Sequence, residues 1–246
     1  MMHTYQILAL TCLVAMLPAC IMTPSATNPM ASVSMQPERN ADTLVIMLPG
    51  RGDRGDDFED RGFFEIASGQ GFDVIAADAH FGYYRARTLD QRLREDIVQP
   101  ARDRGYREIW LLGISAGGFG AMLYASLHPD DIDGLLLLAP WPGDRELVAE
   151  ISERGGLAQW ADNPGNAGED FQRDTWLWLA EVTEQAGNPE IILGYGASDR
   201  FAPAGELMGA RLPPGNHLVQ EGGHDWPTWR SLWSEMLETG LIGKQP

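Results

Sequence analysis

The chain has 246 residues, 44% of them hydrophobic, enough for one α/β domain with a substantial core and too many for a disulfide-stapled miniprotein. Its formal charge is −17 and Lys244 is its only lysine, which excludes a nucleic-acid binder needing a basic face for phosphates. Such an acidic surface favours solubility and disfavours polyanionic substrates unless arginines cluster locally.

The N-terminus is set apart from the fold. Ile7 to Leu17 is an apolar run too short to span a bilayer comfortably and it ends in small residues, as the h-region of a signal peptide does. Leu17-Pro18-Ala19-Cys20 resembles the lipobox of bacterial lipoproteins. The resemblance implies a signal peptide over 1–19, acylation of Cys20, and an exported, lipid-anchored protein of the cell envelope. The alternative is an ordinary signal peptide with incidental cysteines. Cleavage before Cys20 discards Cys12 and leaves no intramolecular disulfide, so packing alone must hold the domain. Thr23 to Asp42 is rich in Ser, Thr, Pro, Asn and Met without apolar periodicity. Residues 20–42 therefore read as a flexible tether, with folded structure expected over 43–246.

Beyond Thr43, short apolar runs alternate with helical patterns. Strands are predicted at Leu44–Leu48, Asp73–Ala77, Glu108–Gly113, Gly134–Ala139, Glu190–Tyr195 and His217–Gln220. Helices are predicted at about Asp57–Ser68, Thr88–Arg104, Gly117–His128, Asp144–Arg154, Phe171–Ala186, Pro203–Ala210 and Thr228–Thr239. The alternation gives an α/β fold, a doubly wound and mostly parallel sheet of about six strands, with its ligand site beyond the strands' carboxyl ends. Residues 141–188 exceed one crossover and are broken by Gly155-Gly156 and Asn163-Pro164-Gly165, which suggests a small helical cap. Trp160, Trp176 and Trp178 are candidates to face a pocket from it, although aromatics at helical spacing more often serve packing.

The third predicted strand runs into Gly113-Ile114-Ser115-Ala116-Gly117, and a helix follows at once. This strand–turn–helix context is what a G-x-S-x-G nucleophile elbow requires, because a strained serine needs neighbours without side chains. Ser115 is the candidate nucleophile. A serine hydroxyl needs a base, and the base an orienting acid, in the chain order Ser, Asp, His. The fifth predicted strand empties into Gly196-Ala197-Ser198-Asp199, which makes Asp199 the candidate acid. Asp144 is the rival, and it reads equally well as a helix N-cap. Of five histidines, His3 lies in the signal, His128 ends a helix, His217 starts a strand, and His80 follows the second strand beside Phe81, Tyr83 and Tyr84 as a possible pocket border. His224, in the Gly-rich loop Glu221-Gly222-Gly223-His224, is the candidate base. The oxyanion donors are expected to be the backbone amides of Ala116, just after the nucleophile, and Arg51, in the Pro49-Gly50-Arg51-Gly52 loop after the first predicted strand. Asp53, Asp56, Asp57, Glu59 and Asp60 lack the spacing of an EF-hand and read as a solvated loop and helix start.

Together, the elbow, the Pro-Gly loop, the loop acid and the late histidine make Thr43 to Leu241 resemble the α/β-hydrolase superfamily. His224-Asp225-Trp226-Pro227-Thr228-Trp229 is also similar to the ending of esterase D-like carboxylesterases. The resemblance implies a Ser-His-Asp triad, an acyl-enzyme, and neither metal nor organic cofactor. The function expected is hydrolysis of a small-molecule or lipid carboxylic ester, with the membrane contacted only through the lipid anchor. Two alternatives stand beside it, an acyltransferase of the cell envelope and a catalytically silent binding module of the same fold.

Overall fold

The computed structural model describes residues 24–35, 41–184 and 189–242; the predicted signal peptide and Cys20 lie outside the described residues. Six of its strands are β2 (Thr43–Leu48), β3 (Asp73–Ala77), β4 (Glu108–Ile114), β5 (Gly134–Leu138), β6 (Glu190–Gly196) and β7 (His217–Gln220), preceded by the short β1 (Ser32–Met35). In β2, β3 and β5 every residue is buried, so these strands carry continuous apolar runs, as a parallel sheet covered on both faces demands.

The sheet order is β1-β3-β2-β4-β5-β6-β7, with all neighbours parallel except the antiparallel β1–β3 pair. After β2 the chain steps outward to β3, then returns to place β4 on the other side of β2. The order therefore reverses between β2 and β4, where Leu48 pairs with Gly113, and the crevice beyond their carboxyl ends is where doubly wound folds bind ligands.

Helices α1 (Asp57–Asp60) and α2 (Phe63–Ala67) replace the single helix expected over Asp57–Ser68. Gly62, at φ +79°, breaks it, and a Cβ there would also lie 2.9 Å from Arg230 Nε. The short α3 (Phe81–Ala86) has no counterpart among the predicted helices. The helix expected over Thr88–Arg104 forms as α4 (Leu89–Leu93) and α5 (Gln99–Asp103), joined by a π-helical turn at Arg94–Val98. The remainder are α6 (Ala116–Leu127), α7 (Arg145–Glu153), α8 (Leu157–Ala161), α9 (Phe171–Val182), α10 (Ala202–Gly209) and α11 (Trp226–Glu238). One helical layer joins α2 to α11, the other joins α4, α6 and α9.

The strand count is corrected, and the tryptophans take the packing role that helical spacing favours. The sheet has seven strands because part of the presumed tether folds: Ser32 to Met35 pairs with Ala77 to Val74, and the buried Met30 donates its N–H to Asp96 Oδ2 at 2.8 Å. A lone antiparallel edge strand of two serines, a valine and a methionine carries almost no strand signal in sequence. The tryptophans of 141–188 are packing residues. Trp160 and Trp176 are buried at 0% and 2% exposure, and the Trp176 indole donates to Pro142 O at 2.8 Å, while Trp178 is half-buried against the core. In this insertion α9 packs on α6 as a crossover helix, and α7 and α8 lie beyond it.

Candidate active site

Ser115 sits between β4 and α6 with φ +51° and ψ −113°, a region an L-residue adopts only under constraint. Three backbone bonds hold it there: Ser115 N–H to Leu138 O, and the N–H groups of Trp141 and Phe119 to Ser115 O. The glycines around it are steric requirements. A Cβ on Gly113 would meet Gly117 O at 2.3 Å, and one on Gly117 would meet Leu48 O at 2.1 Å. Each contact is far inside van der Waals distance and against backbone, so side chains at 113 or 117 would force β2, β4 and α6 apart.

Asp199 and His224 reach Ser115 from neighbouring strand ends. The loop after β6 is tied to the loop after β7 by Ala197 N–H to Gln220 O and Ser198 N–H to Gly222 O. A Cβ on Gly196 would meet Gly222 O at 2.3 Å, so the two loops can approach only because residue 196 is glycine. His224 Nδ1 lies 2.8 Å from Asp199 Oδ2, and His224 Nε2 lies 2.9 Å from Ser115 Oγ. Asp199 Oδ1 accepts the N–H of Phe201 at 2.7 Å. The Asp199 side chain is fully buried, and an ionised carboxylate only accepts, so the proton between the pair sits on His224 Nδ1 and leaves Nε2 free to accept from Ser115. The imidazole is gripped edge-on by Phe201 and Trp229, at ring separations of 5.0 and 4.9 Å.

The residue after His224 fixes this loop to a helix. Asp225 caps α11 by accepting from Thr228 N–H at 3.0 Å and Thr228 Oγ1 at 2.8 Å. The Thr228 backbone bond, with the hydroxyl bond behind it, holds the Asp225 carboxyl below its usual pKa.

The segments carrying the two expected oxyanion donors lie beside Ser115. Ala116 is the first residue of α6, so its N–H has no acceptor within the helix and points outward with the helix dipole behind it. The loop carrying Arg51 lies against Ser115, since a Cβ built on Gly50 would stand 3.7 Å from Ser115 Cβ. The Arg51 guanidinium lies 4.8 Å above the Phe81 ring.

The rival assignments separate cleanly. Asp144 is exposed at the start of α7 and pairs with Gln172, whose amide donates to Asp144 Oδ2 at 3.1 Å, and it is not the residue bonded to His224. His80 is buried and caps α3, its Nδ1 accepting from Gly82 N–H, and burial lowers its pKa. His217 bonds the Tyr195 hydroxyl at 2.9 Å, and His128 packs at a tilt against Tyr124. Tyr84, read in the sequence only as a pocket border, and the aromatics Trp141 and Phe171 also join the site. The half-buried Tyr84 donates its hydroxyl to Ala116 O at 2.9 Å, and Trp141 and Phe171 pack on Phe119, one turn past Ser115. Cavities of about 690 and 610 Å³ lie elsewhere, the first beside α7, α8 and α10 and the second beside α2 and α11.

This geometry agrees with what the chain resembles. The family model described as "alpha/beta hydrolase fold" matches residues 43–172. Among solved structures, MPT51 from Mycobacterium tuberculosis superposes with a TM-score of 0.64 at 18% identity, over 90% of this chain and 97% of that one. Est1E from Butyrivibrio proteoclasticus gives 0.57 at 16%, over 86% and 93%, and the S-formylglutathione hydrolase FrmB from Staphylococcus aureus gives 0.54 at 14%, over 89% and 98%. No curated protein matches the chain. The family match begins at β2 and takes in both Pro49-Gly50 and the Ser115 elbow, the two segments brought together at the reversal of strand order; the chain belongs to the α/β-hydrolase fold family.

Proposed function

We propose that this protein hydrolyses carboxylic esters through an acyl-enzyme on Ser115. The observation that carries the reading is the unbroken relay from Asp199 to His224 to Ser115, with both hydrogen bonds under 3.0 Å and the acid fully buried. His224 Nε2 takes the hydroxyl proton as Ser115 Oγ attacks the carbonyl carbon, and Asp199 stabilises the imidazolium that forms. The Ala116 and Arg51 amides receive the oxyanion. Collapse of the tetrahedral intermediate expels the alcohol, protonated by His224. Water, deprotonated by the same histidine, then releases the acid and restores the serine.

The test is hydrolysis of p-nitrophenyl esters from acetate to palmitate, with Ser115→Ala protein as the blank. A chain-length optimum lost in the variant supports the reading. Absence of turnover on every ester, together with failure of a fluorophosphonate to label wild-type protein, overturns it.

Cys20 as a lipid-anchor site is a second proposal, supported by the Leu17-Pro18-Ala19-Cys20 sequence alone. Cys20→Ser should release the protein from membranes, and continued membrane association would reject the anchor.

A further inference from the structure

Asp53 is a carboxylate of the active site that the mechanism above does not use. It closes the loop after β2, its N–H donating to Gly50 O at 3.2 Å. Its Oδ2 lies 2.9 Å from the point where a Cβ on Gly50 would stand, and the same point is 3.7 Å from Ser115 Cβ. The acid and the nucleophile therefore flank one glycine, on the loop that offers the Arg51 amide.

Its carboxylate forms no ion pair, although the Trp226 side chain hydrogen-bonds to it and Arg61 and His224 stand near enough to favour its charge. Arg51 is drawn over Phe81, Arg61 stands 5.6 Å above Trp226, and Arg54 is paired with Asp78 through its Nε at 2.7 Å. Among the described residues Asp53 has no ion-pair partner within 4.0 Å. Burial and then the Asp57 charge raise its pKa, against smaller opposing effects of Trp226, Arg61 and His224. A carboxylate so placed, partly desolvated and beside the Asp57 charge, gains from a cation delivered to it. Its field also opposes an oxyanion forming on the same loop, an effect a substrate cation would cancel. The chain's net charge of −17 concentrates cations around the molecule in the same sense.

Resting on the ester-hydrolase reading, we propose that Asp53 selects substrates, favouring esters that carry an ammonium group a few atoms from the scissile carbonyl. In such a reaction Ser115 Oγ bonds to the carbonyl carbon, the bond to the leaving alcohol or thiol breaks, and His224 supplies that group's proton. Asp53 stays chemically unchanged and holds the ammonium.

The experiment compares kcat/KM for two isosteric pairs. One is acetylthiocholine against S-(3,3-dimethylbutyl) thioacetate, with the cation on the leaving group. The other is the p-nitrophenyl ester of 4-(trimethylammonio)butyrate against that of 5,5-dimethylhexanoate, with the cation on the acyl group. Wild-type protein should prefer the cationic member of at least one pair by about tenfold. Asp53→Asn should lose that preference and Asp53→Glu should retain part of it. The wild-type preference should also shrink as NaCl is raised from roughly 0.02 to 0.5 M, a measurement that needs no variant. Equal rates within both pairs for wild type, or a preference unaltered in a folded Asp53→Asn protein, overturns the proposal while leaving the hydrolase reading intact. If no cationic ester turns over, the proposal fails; if a fluorophosphonate also fails to label Ser115, the hydrolase reading fails with it.

Discussion

At the scale of single residues the site depends on hydrogen bonds whose removal has unequal consequences. Ser115→Ala removes the nucleophile and should abolish ester turnover and fluorophosphonate labelling while leaving the circular dichroism unchanged, since among the described residues Ser115 Oγ bonds only His224. Asp199→Asn is a different lesion. The asparagine must accept Phe201 N–H through its oxygen, which turns its NH₂ toward His224 Nδ1 and forces the imidazole proton onto Nε2. The base is then presented in the wrong tautomer, and kcat should fall by about 10⁴ with little change in KM. Asp144→Asn serves as the control, because Asp144 is engaged with Gln172 at the surface, and its rate should match wild type. A wild-type rate for Asp199→Asn would instead return the acid's role to Asp144. The hydrogen-bonded set of Ser115, His224 and Asp199 was legible in the sequence because few histidines compete and each of the three follows a strand end in the expected order. Asp53 read only as part of a solvated loop and Tyr84 only as a pocket border, since their places at the site come from β2, β3 and β4 lying side by side, and nothing local to either residue records that neighbourhood.

Elements place these residues, and their ends matter more than their middles. The six strands of the parallel sheet were readable because each is a short apolar run bounded by turn residues. The helix breaks were less so: Gly62 ends α1 through a left-handed conformation that a hydrophobic pattern does not encode, and the π-helical turn in Arg94–Val98 leaves the apolar spacing nearly unchanged. The cap of α11 shows how an end serves function. Asp225 anchors the helix one residue after His224, so Asp225→Ala should cost about 1 kcal/mol. For a domain of this size that lowers Tm by about 2–4 °C in a calorimetric or fluorescence melt. Its pH dependence has a definite sign. The Asp225 pKa is depressed in the folded state, so its contribution is complete above the unfolded aspartate value of about 3.9 and is lost as pH falls through the lower folded value. Asparagine caps comparably without titrating. The stability difference between wild type and Asp225→Asn should therefore be flat from about pH 8 to 5 and change only below about pH 4, where the carboxylate protonates. A difference that instead changed near neutrality would assign the effect to another group.

For the molecule as a whole, residues 24–35 join the fold rather than leading up to it. With β1 in place, the edge of β3 is paired along Val74 to Ala77, Met30 is buried, and Thr27 and Asn28 bond to Tyr83 and Arg92. The same segment braces the side of the site, because Tyr83 and Tyr84 are consecutive in α3 and Tyr84 holds the carbonyl of Ala116. A chain beginning at Ala41 would retain every triad residue yet present β3, a wholly buried strand, as an open edge. Loss of the Met30 contact alone should destabilise by roughly 1.5–3 kcal/mol, and the unpaired strand should promote association. The truncated protein is therefore expected to melt several degrees lower and to scatter more light at equal concentration. Its kcat should fall less than its stability, since Ser115, Asp199 and His224 are positioned from β4, β6 and β7, away from that edge. Unchanged melting and scattering would mean that 24–35 contributes nothing to the domain. A loss of kcat without loss of stability would mean that its main role is to hold α3 against the nucleophile elbow.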